Sequence, residues 1–335
     1  MAFDVKVHID LTKPIGRVGF GIPLVLIEHA ESAIAYTKVS NVEEAKDAGI
    51  AADTKAYKAL QLLFAQNHAP KTAAICAVTG TAEDALTDTH ITDKDWRQLI
   101  VIGDDETDTN VAGIITAIEA LDGKLYFAGF DTDDATTITT SNLRRTILFY
   151  CDATDDVPVP VAALVGEIAG REAGSFTYKN IILTGVQAQS LTHTQIENIH
   201  KKGGMTFIAK AGDNVTSEGK LAGGEYIDIV DSEDYIIQQL AYQTQKVLNN
   251  VAKVPYDNNG IALLESVAID VLQDAYNNGM IVTNSDGTPG YSVNYALRED
   301  TKESDRANRL YIGGGFTFAL TGAIHEIEIT GSITV

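Results

Sequence analysis

Apolar and polar residues alternate strictly in two stretches, one near each end of the chain. Every second residue between positions 4 and 12 is apolar, and the last twelve residues, IHEIEITGSITV, follow the same pattern. A period of two is that of a β-strand with one buried face. We therefore predict a strand at each terminus, with faces formed by Val5, Val7, Ile9 and Leu11 and by His325, Ile327, Ile329, Gly331, Ile333 and Val335.

Residues 22–190 contain short apolar runs that do not alternate, separated by segments with the 3.6-residue spacing of amphipathic helices. Such runs are typical of strands that are buried on both faces of a parallel sheet. We predict strands at 22–28, 72–78, 99–102, 125–130, 146–151 and 180–184, and helices opening at Asn41 and covering 56–64, 81–88, 107–121, 133–143 and 158–171. This alternation predicts an α/β body with a mainly parallel sheet and flanking helices.

The pattern changes after residue 190 to that of an α+β segment. Thr192 followed by Gln195 has the spacing of a capping box and predicts a helix to His200. Further helices are predicted at 231–249 and 258–278, and strands at 205–209, 225–229, 291–296, 310–312, 315–320 and 324–335. We divide the chain into an N-terminal arm and hinge (1–21), an α/β body (22–190), a C-terminal α+β domain (191–321) and a C-terminal strand arm (322–335).

The charge balance narrows the classes of partner. Among 335 residues, 46 are Asp or Glu and 25 are Lys or Arg, which gives a formal net charge of -21. A surface of this sign repels phosphate backbones and anionic lipids, so we expect neither nucleic acid nor a membrane as partner. The N-terminus has no apolar run of the kind found in a secretory signal, and no apolar run anywhere is long enough for a membrane span. Cys76 and Cys151 lie inside apolar runs and are interpreted as small core residues, in a protein made in the cytosol.

The clearest candidate chemistry is a series of carboxylates. Asp104, Asp131 and Asp152 each follow a predicted strand, at the sheet edge where α/β proteins bind ligands and where carboxylates hold Mg²⁺. The alternative is helix capping, which every strand-to-helix turn requires. Gly80-Thr81 is not followed by a phosphate-loop pattern, and no G-x-S-x-G or metal-ligand spacing occurs. We therefore expect no catalytic, cofactor or metal site, although a soluble α/β enzyme or binding protein that uses this acidic edge stays open as the alternative function.

Several stretches, taken in order, resemble the contractile tail sheath proteins of myophages, contractile bacteriocins and related injection systems. They are TKAYKALQLLFAQNHAPKTAAI, GGEYIDIVDSEDYIIQQLAYQTQKVLNN, the 261–279 helix with GMIVTN, and above all the ending DRANRLYIGGGFTFALTGAIHEIEITGSITV. The resemblance implies a structural subunit and not an enzyme. Subunits of this family stack as six-membered rings around an inner tube, and their contraction drives the tube through a target envelope, which in phages precedes genome ejection.

The resemblance also assigns roles to residues and partners. It implies that the two terminal strands are arms donated to the sheets of neighbouring subunits, with glycine hinges at Gly16, Gly19 and Gly322 that permit large backbone changes. It implies that the helix carrying Glu233 and Asp234 faces the tube. The expected partners are further copies of the chain, the inner tube protein, and baseplate and tail terminator proteins. The expected location is a virion tail or contractile particle that is assembled in the host cytoplasm.

Overall fold

A computed structural model describes residues 21–103, 109–130, 142–152 and 158–328. Within these ranges the largest unit is an eight-stranded sheet, with strand order β2-β3-β1-β4-β5-β6-β7-β8. Its strands are β1 Leu24–Ile27, β2 Ile34–Val39, β3 Ala73–Ala77, β4 Gln98–Ile102, β5 Leu125–Phe130, β6 Thr146–Tyr150, β7 Gly204–Lys210 and β8 Asp213–Thr216. Neighbouring strands from β3 across to β7 run parallel, and β2 and β8 close the two edges in antiparallel orientation. The predicted α/β class with a mainly parallel sheet is confirmed.

Helices cover both faces of this sheet. They are α1 Val42–Asp47, α2 Lys55–Phe64, α3 Ala82–Ala85, α4 Thr89–Thr92, α5 Val111–Glu119, α6 Pro158–Ala169 and α7 His193–Lys201. One core lies between the sheet and α2 with α6, and the other lies between the sheet and α3, α4, α5 and α7. The central strands are buried at every position, as in ILFYC and AAIC, because both faces are covered.

A smaller unit follows, built from two long helices and a hairpin. The helices are α8 Ile227–Asn250 and α9 Asn258–Asn277, and they pack with strands β9 Tyr291–Tyr295 and β10 Gly314–Phe318. In the sequence, a short helix α10 Glu303–Ala307 lies between β9 and β10. The core of this unit includes Ile236, Leu240 and Leu272. None of the helices in the described part of the chain is long and apolar enough to cross a membrane.

Three predicted strands are wrong. Asn180 has a left-handed φ of 64°, and residues 180–184 form an irregular segment that bonds to Thr216 of β8. Residues 225–229 alternate like a strand, but Ile227 and Val230 are buried together on one side of α8, the spacing of a helix. Residues 310–312 are not a strand, and follow Arg309 with its left-handed φ of 55°.

Other boundaries differ in detail. The predicted helix 81–88 is the shorter α3, and 107–121 shortens to α5. Strand β2 was not anticipated, since its burial is partial and it lies on the edge. The large sheet continues past residue 190, because β7 pairs with β6. The division into domains at that residue stays a prediction. The predicted N-terminal strand and residues 133–141 of the predicted helix 133–143 lie outside the described residues, and Asn142 has a left-handed φ of 67°.

Candidate assembly interface

The hairpin formed by β9 and β10 is a two-stranded antiparallel sheet. Its apolar face rests on α9 and includes Val293, Phe316 and Phe318, and the rings of the two phenylalanines stack with centroids 6.1 Å apart. Ser292 and Thr317 are on the opposite, exposed face and share a hydrogen bond of 2.8 Å. A two-stranded sheet is marginal by itself and depends on the surface beneath it.

Both long edges of this hairpin offer backbone groups for pairing. Ala296 N–H donates to Gly313 O and Ala319 N–H donates to Gly290 O, each at 2.9 Å. Hydrogen-bonded pairs alternate along an antiparallel ladder, so the N–H group of Val293 on β9 points away from β10. The same alternation directs the N–H group of Phe316 away from β9. Among the described strands, β9 and β10 pair with each other, and residues 280–282 bond to residues 319–321 just past the end of β10.

The C-terminal segment, described as far as residue 328, has no regular secondary structure after β10. The predicted strand from residue 324 is therefore not formed in its described part. His325 and Ile327 were predicted on one face, but the His325 side chain is 6% exposed whereas Ile327 is 78% exposed. A β-carbon at the predicted hinge Gly322 would meet no atom within 4 Å, and its φ lies outside the left-handed region.

Glu233 and Asp234, which we expected on a tube-facing surface, are bonded to arginines of the α/β body. Asp234 accepts from Arg97 Nη1 at 2.8 Å and from Arg145, and its side chain is 11% exposed. Glu233 accepts from Arg144 Nη2 at 2.9 Å at the surface. The orientation of the helix toward a tube stays a prediction, but Asp234 is part of the interior.

Arg97, Arg145 and Asp234 belong to a buried charged cluster that sequence reasoning missed. Arg97 also donates through Nε to Asp231 Oδ1 at 3.2 Å, and Tyr178 donates to the other oxygen of Asp231. The first turns of α8 are thereby joined to the start of β4 and to the segment after α6. A signal was present in the sequence, because Asp231 lies one turn after the buried Ile227 and so falls on the apolar side of the helix.

The electrostatics of this cluster favour the charged forms. Burial alone would raise the pKa of Asp234, but the charges of Arg97 and Arg145 and their hydrogen bonds outweigh it and lower that pKa. Burial would likewise lower the pKa of Arg97, and the carboxylates of Asp231 and Asp234 raise it instead. Arg97 and Asp234 are therefore held as a buried ion pair.

The remaining predicted residues fall in different places. Val5, Val7, Ile9, Leu11, Gly16, Gly19, Ile329, Ile333 and Val335 lie outside the described residues, as do Asp104 and Asp131. Asp152 is exposed, and its N–H donates to Gln189 Oε1 at 3.2 Å. Thr81 caps α3, and Cys76 and Cys151 are buried, as expected. Among the described residues, no group of three or more His, Cys, Asp or Glu side chains is placed to hold a metal ion.

An open groove of about 420 Å³ runs between the two long helices. Its walls include Tyr235, Lys246, Leu263 and Asp270. Its lining mixes amide, charged and apolar side chains and does not resemble a catalytic or ligand-binding site. We therefore treat it as part of the surface of the helical pair.

Comparison with known protein families gives a match for the C-terminal third of the chain. Residues 227–333 match the model of the C-terminal domain of E217 tail sheath protein gp31-like proteins. No match to the chain is found among curated protein sequences. The matched region contains α8, α9, the hairpin and the segment with His325.

Solved structures share the fold of this protein over almost the whole chain. The helical sheath of the anti-feeding prophage in the contracted state is 14% identical, with a TM-score of 0.71 and 99% of each chain covered. A chain of the six-fold symmetrised anti-feeding prophage baseplate is 14% identical, with a TM-score of 0.72 and complete coverage of both chains. The PVC sheath complex of an extracellular contractile injection system, also contracted, is 11% identical, with a TM-score of 0.71 and 99% of this chain and 98% of that chain covered. Along its length the chain shares the fold of solved contractile sheath proteins, and its residues 227–333 match the C-terminal domain model of tail sheath proteins, which confirms the resemblance predicted from its sequence.

Proposed function

We propose that the chain is a structural subunit of a contractile sheath, without catalytic activity. In this proposal its copies polymerise as stacked six-membered rings around an inner tube, and contraction drives the tube through the envelope of a target cell. The family match in residues 227–333 and the shared fold support the assignment. The particle is a virion tail or a related contractile machine, assembled in the cytoplasm of its host.

One observation carries the proposal, namely the two-stranded hairpin with pairing groups on both long edges. An extended segment can add to such an edge through main-chain hydrogen bonds, and the amphipathic termini have the alternation that this requires. Donated N-terminal and C-terminal arms would extend the hairpin of one subunit with strands from its neighbours. Main-chain bonds along an arm depend little on side chains, so they can persist while the bodies exchange contacts during contraction.

The test blocks one edge without removing the hairpin. Val293→Pro removes an N–H group that points away from β10, and proline is tolerated on edge strands. Val293→Ala is the matched control, since it loses the same side-chain packing but keeps the N–H group. We expect negative-stain electron microscopy to show hollow helical tubes for the wild type and Val293→Ala, and folded, unassembled subunits for Val293→Pro.

The equivalent pair on the other edge is Phe316→Pro and Phe316→Ala. Deletion of residues 1–12 or of 329–335 tests the donors, and each is expected to leave a folded subunit that no longer forms tubes. Size-exclusion chromatography distinguishes unassembled from aggregated protein. Tubes of normal appearance from both proline variants would contradict strand donation to this hairpin, and a wild-type monomer that stays monomeric with inner tube protein present would contradict the sheath assignment.

Contact with the inner tube is a separate part of the proposal. Substitution of Asp234 would disturb the interior, so the test uses Glu233→Gln, which removes a surface carboxylate of α8. Arg144→Gln is its control, because it breaks the same ion pair and leaves that carboxylate in place. Weaker assembly around the tube with Glu233→Gln alone is expected, and equal behaviour of the two variants would contradict a tube contact at Glu233. The proposed partners also include baseplate and tail terminator proteins, and the subunit uses neither a cofactor nor nucleic acid.

A further inference from the structure

One side chain of the C-terminal segment is held in the α/β body although its neighbours are exposed. The side chain of His325 is 6% exposed, while Ile324 and Ile327 are 81% and 78% exposed. Apolar residues normally occupy buried positions in preference to a histidine, so this inverted order points to specific polar contacts. The contacts come from three separate parts of the chain.

Both ring nitrogens of His325 have a partner. Nδ1 lies 3.2 Å from Oε1 of Glu218, and Nε2 lies 2.7 Å from Oγ1 of Thr177. A carboxylate can only accept, so Nδ1 carries the proton, and in the neutral ring Nε2 accepts from the threonine hydroxyl. The tautomer of the ring is thereby fixed by its two partners.

The remaining surroundings fit the ring closely. Tyr226 packs against it edge to face, with ring centroids 4.8 Å apart. A β-carbon at Gly219 would lie 3.2 Å from Cε1 of His325, which is closer than ordinary van der Waals contact, so the ring packs directly against the backbone there. We call this set, formed by Thr177, Glu218, Gly219 and Tyr226, the histidine socket.

Glu218 is held as a carboxylate in the socket. Burial would raise its pKa, but the hydrogen bond from Gly219 N–H, the charges of Lys179 and Lys220, and the bond from His325 together lower it. The two lysine nitrogens lie 3.9 and 3.8 Å from its oxygens. Departure of His325 would take one hydrogen bond from this buried carboxylate and leave it with the Gly219 N–H group and the two lysines.

The socket belongs to the body and not to the hairpin. Thr177 lies in the connection after α6, Glu218 follows β8, and Tyr226 is the N-terminal cap of α8. We propose that His325 is a clasp that fixes the C-terminal arm to the body of its own subunit, so that the arm pivots after His325 and not at Gly322. This rests on the proposed sheath function, since it concerns the arm that the sheath uses. In this arrangement, tension on the arm is transmitted to the start of α8 and to the arginines of the body that bond to α8. It is not transmitted through the hairpin of the subunit that donates the arm.

The experiment measures how closely the segment is held in full-length subunits that carry Val293→Pro, the variant expected to stay unassembled. Spin labels are placed at Ile327→Cys, an exposed position just beyond the clasp, and at Asp93→Cys on the body surface, since Cys76 and Cys151 are buried. Pulsed electron paramagnetic resonance then gives the distribution of distances between the labels. We expect one narrow distribution, which His325→Ala broadens by about twofold or more.

Two further variants separate the clasp from general disturbance. Thr177→Val removes one partner of the ring with little change in shape and is expected to broaden the distribution in part. Glu326→Ala changes an exposed neighbour and is expected to leave it unchanged. A broad distribution in the labelled protein that keeps His325, or equal widths with and without His325, would overturn the clasp. Because the measurement is made on unassembled subunits, it tests the clasp separately from assembly. A narrow distribution for a protein whose wild type forms no tubes would contradict the sheath function and leave the clasp in place.

Discussion

Arg97, directly before β4, and Asp231, in helix α8, are 134 positions apart in the sequence, and Arg97 Nε donates a hydrogen bond to Asp231 Oδ1 at 3.2 Å. Both side chains are buried, at 1% and 8% exposure. The bond joins the helical unit, which carries the hairpin and leads to the C-terminal arm, to a strand of the α/β sheet. It therefore helps to hold α8 against the body.

We predict that Arg97→Met lowers the free energy of unfolding by about 3–5 kcal/mol, because it leaves Asp231 buried without its cation. Arg144→Met is the control, since that side chain is 48% exposed and its ion pairs are worth about 1 kcal/mol or less. Urea unfolding monitored by circular dichroism measures both. Equal losses in the two variants would show that the buried cluster contributes no more than a surface pair.

Stability should fall steeply in acid because of Asp234. Its pKa is lower in the folded chain than its ordinary value of 3.8, so its contribution is complete above that value and is lost as the pH falls through the lower folded pKa. Asp234→Asn is expected to reduce the loss of unfolding free energy as the pH falls below about 4. Asp93→Asn, at the surface, is the control and should keep the wild-type slope. An unchanged slope in Asp234→Asn would contradict this assignment.

The contact of α2 with α6 depends on Gly166. A β-carbon there would lie 2.2 Å from the carbonyl oxygen of Leu63, so Gly166→Ala must push two helices apart. We expect a loss of about 1–3 kcal/mol of unfolding free energy, in spite of the better helix propensity of alanine. Gly80→Ala meets no atom within 4 Å and should change stability by less than about 0.5 kcal/mol. Stable, wild-type unfolding of Gly166→Ala would disprove the close approach.

The two cysteines should be unreactive in the folded chain. Cys76 and Cys151 are 3% and 1% exposed, and burial together with the charge of Asp88 raises the pKa of the Cys76 thiol. A thiol reagent such as dithionitrobenzoate is therefore expected to react with neither in native buffer and with both in concentrated urea. Rapid reaction of one thiol in the native protein would place that residue at the surface.

Much of the body could be predicted from the sequence because its signals are local. The non-alternating runs around Ile75, Ile100 and Leu148 are strands buried on both faces, and Thr192 with Gln195 forms the predicted capping box. These patterns depend on residues within one turn or one strand. Errors arose where a local pattern fits two structures, as at Ile227, where alternation and helical spacing coincide over a few residues.

The candidate interface was less accessible to sequence reasoning. The terminal alternation and the family resemblance pointed to strand-mediated assembly, yet the hairpin edges depend on which strands pair and which stay unpaired. His325 was assigned to an apolar strand face from its spacing. Its burial depends on Thr177 and Glu218, which are far from it in the chain and which no local pattern connects to it.

By itself the sequence determined the α/β class, most helices and central strands, the acidic character and the resemblance to tail sheath proteins. These follow from composition, periodicity and the order of short stretches. Tertiary structure alone decided the strand order, the burial of Asp234 among arginines, the open hairpin edges and the socket around His325. The physical reason is that the environment of a polar group is set by partners brought together from distant parts of the chain, whereas periodicity reports only which side of an element is apolar.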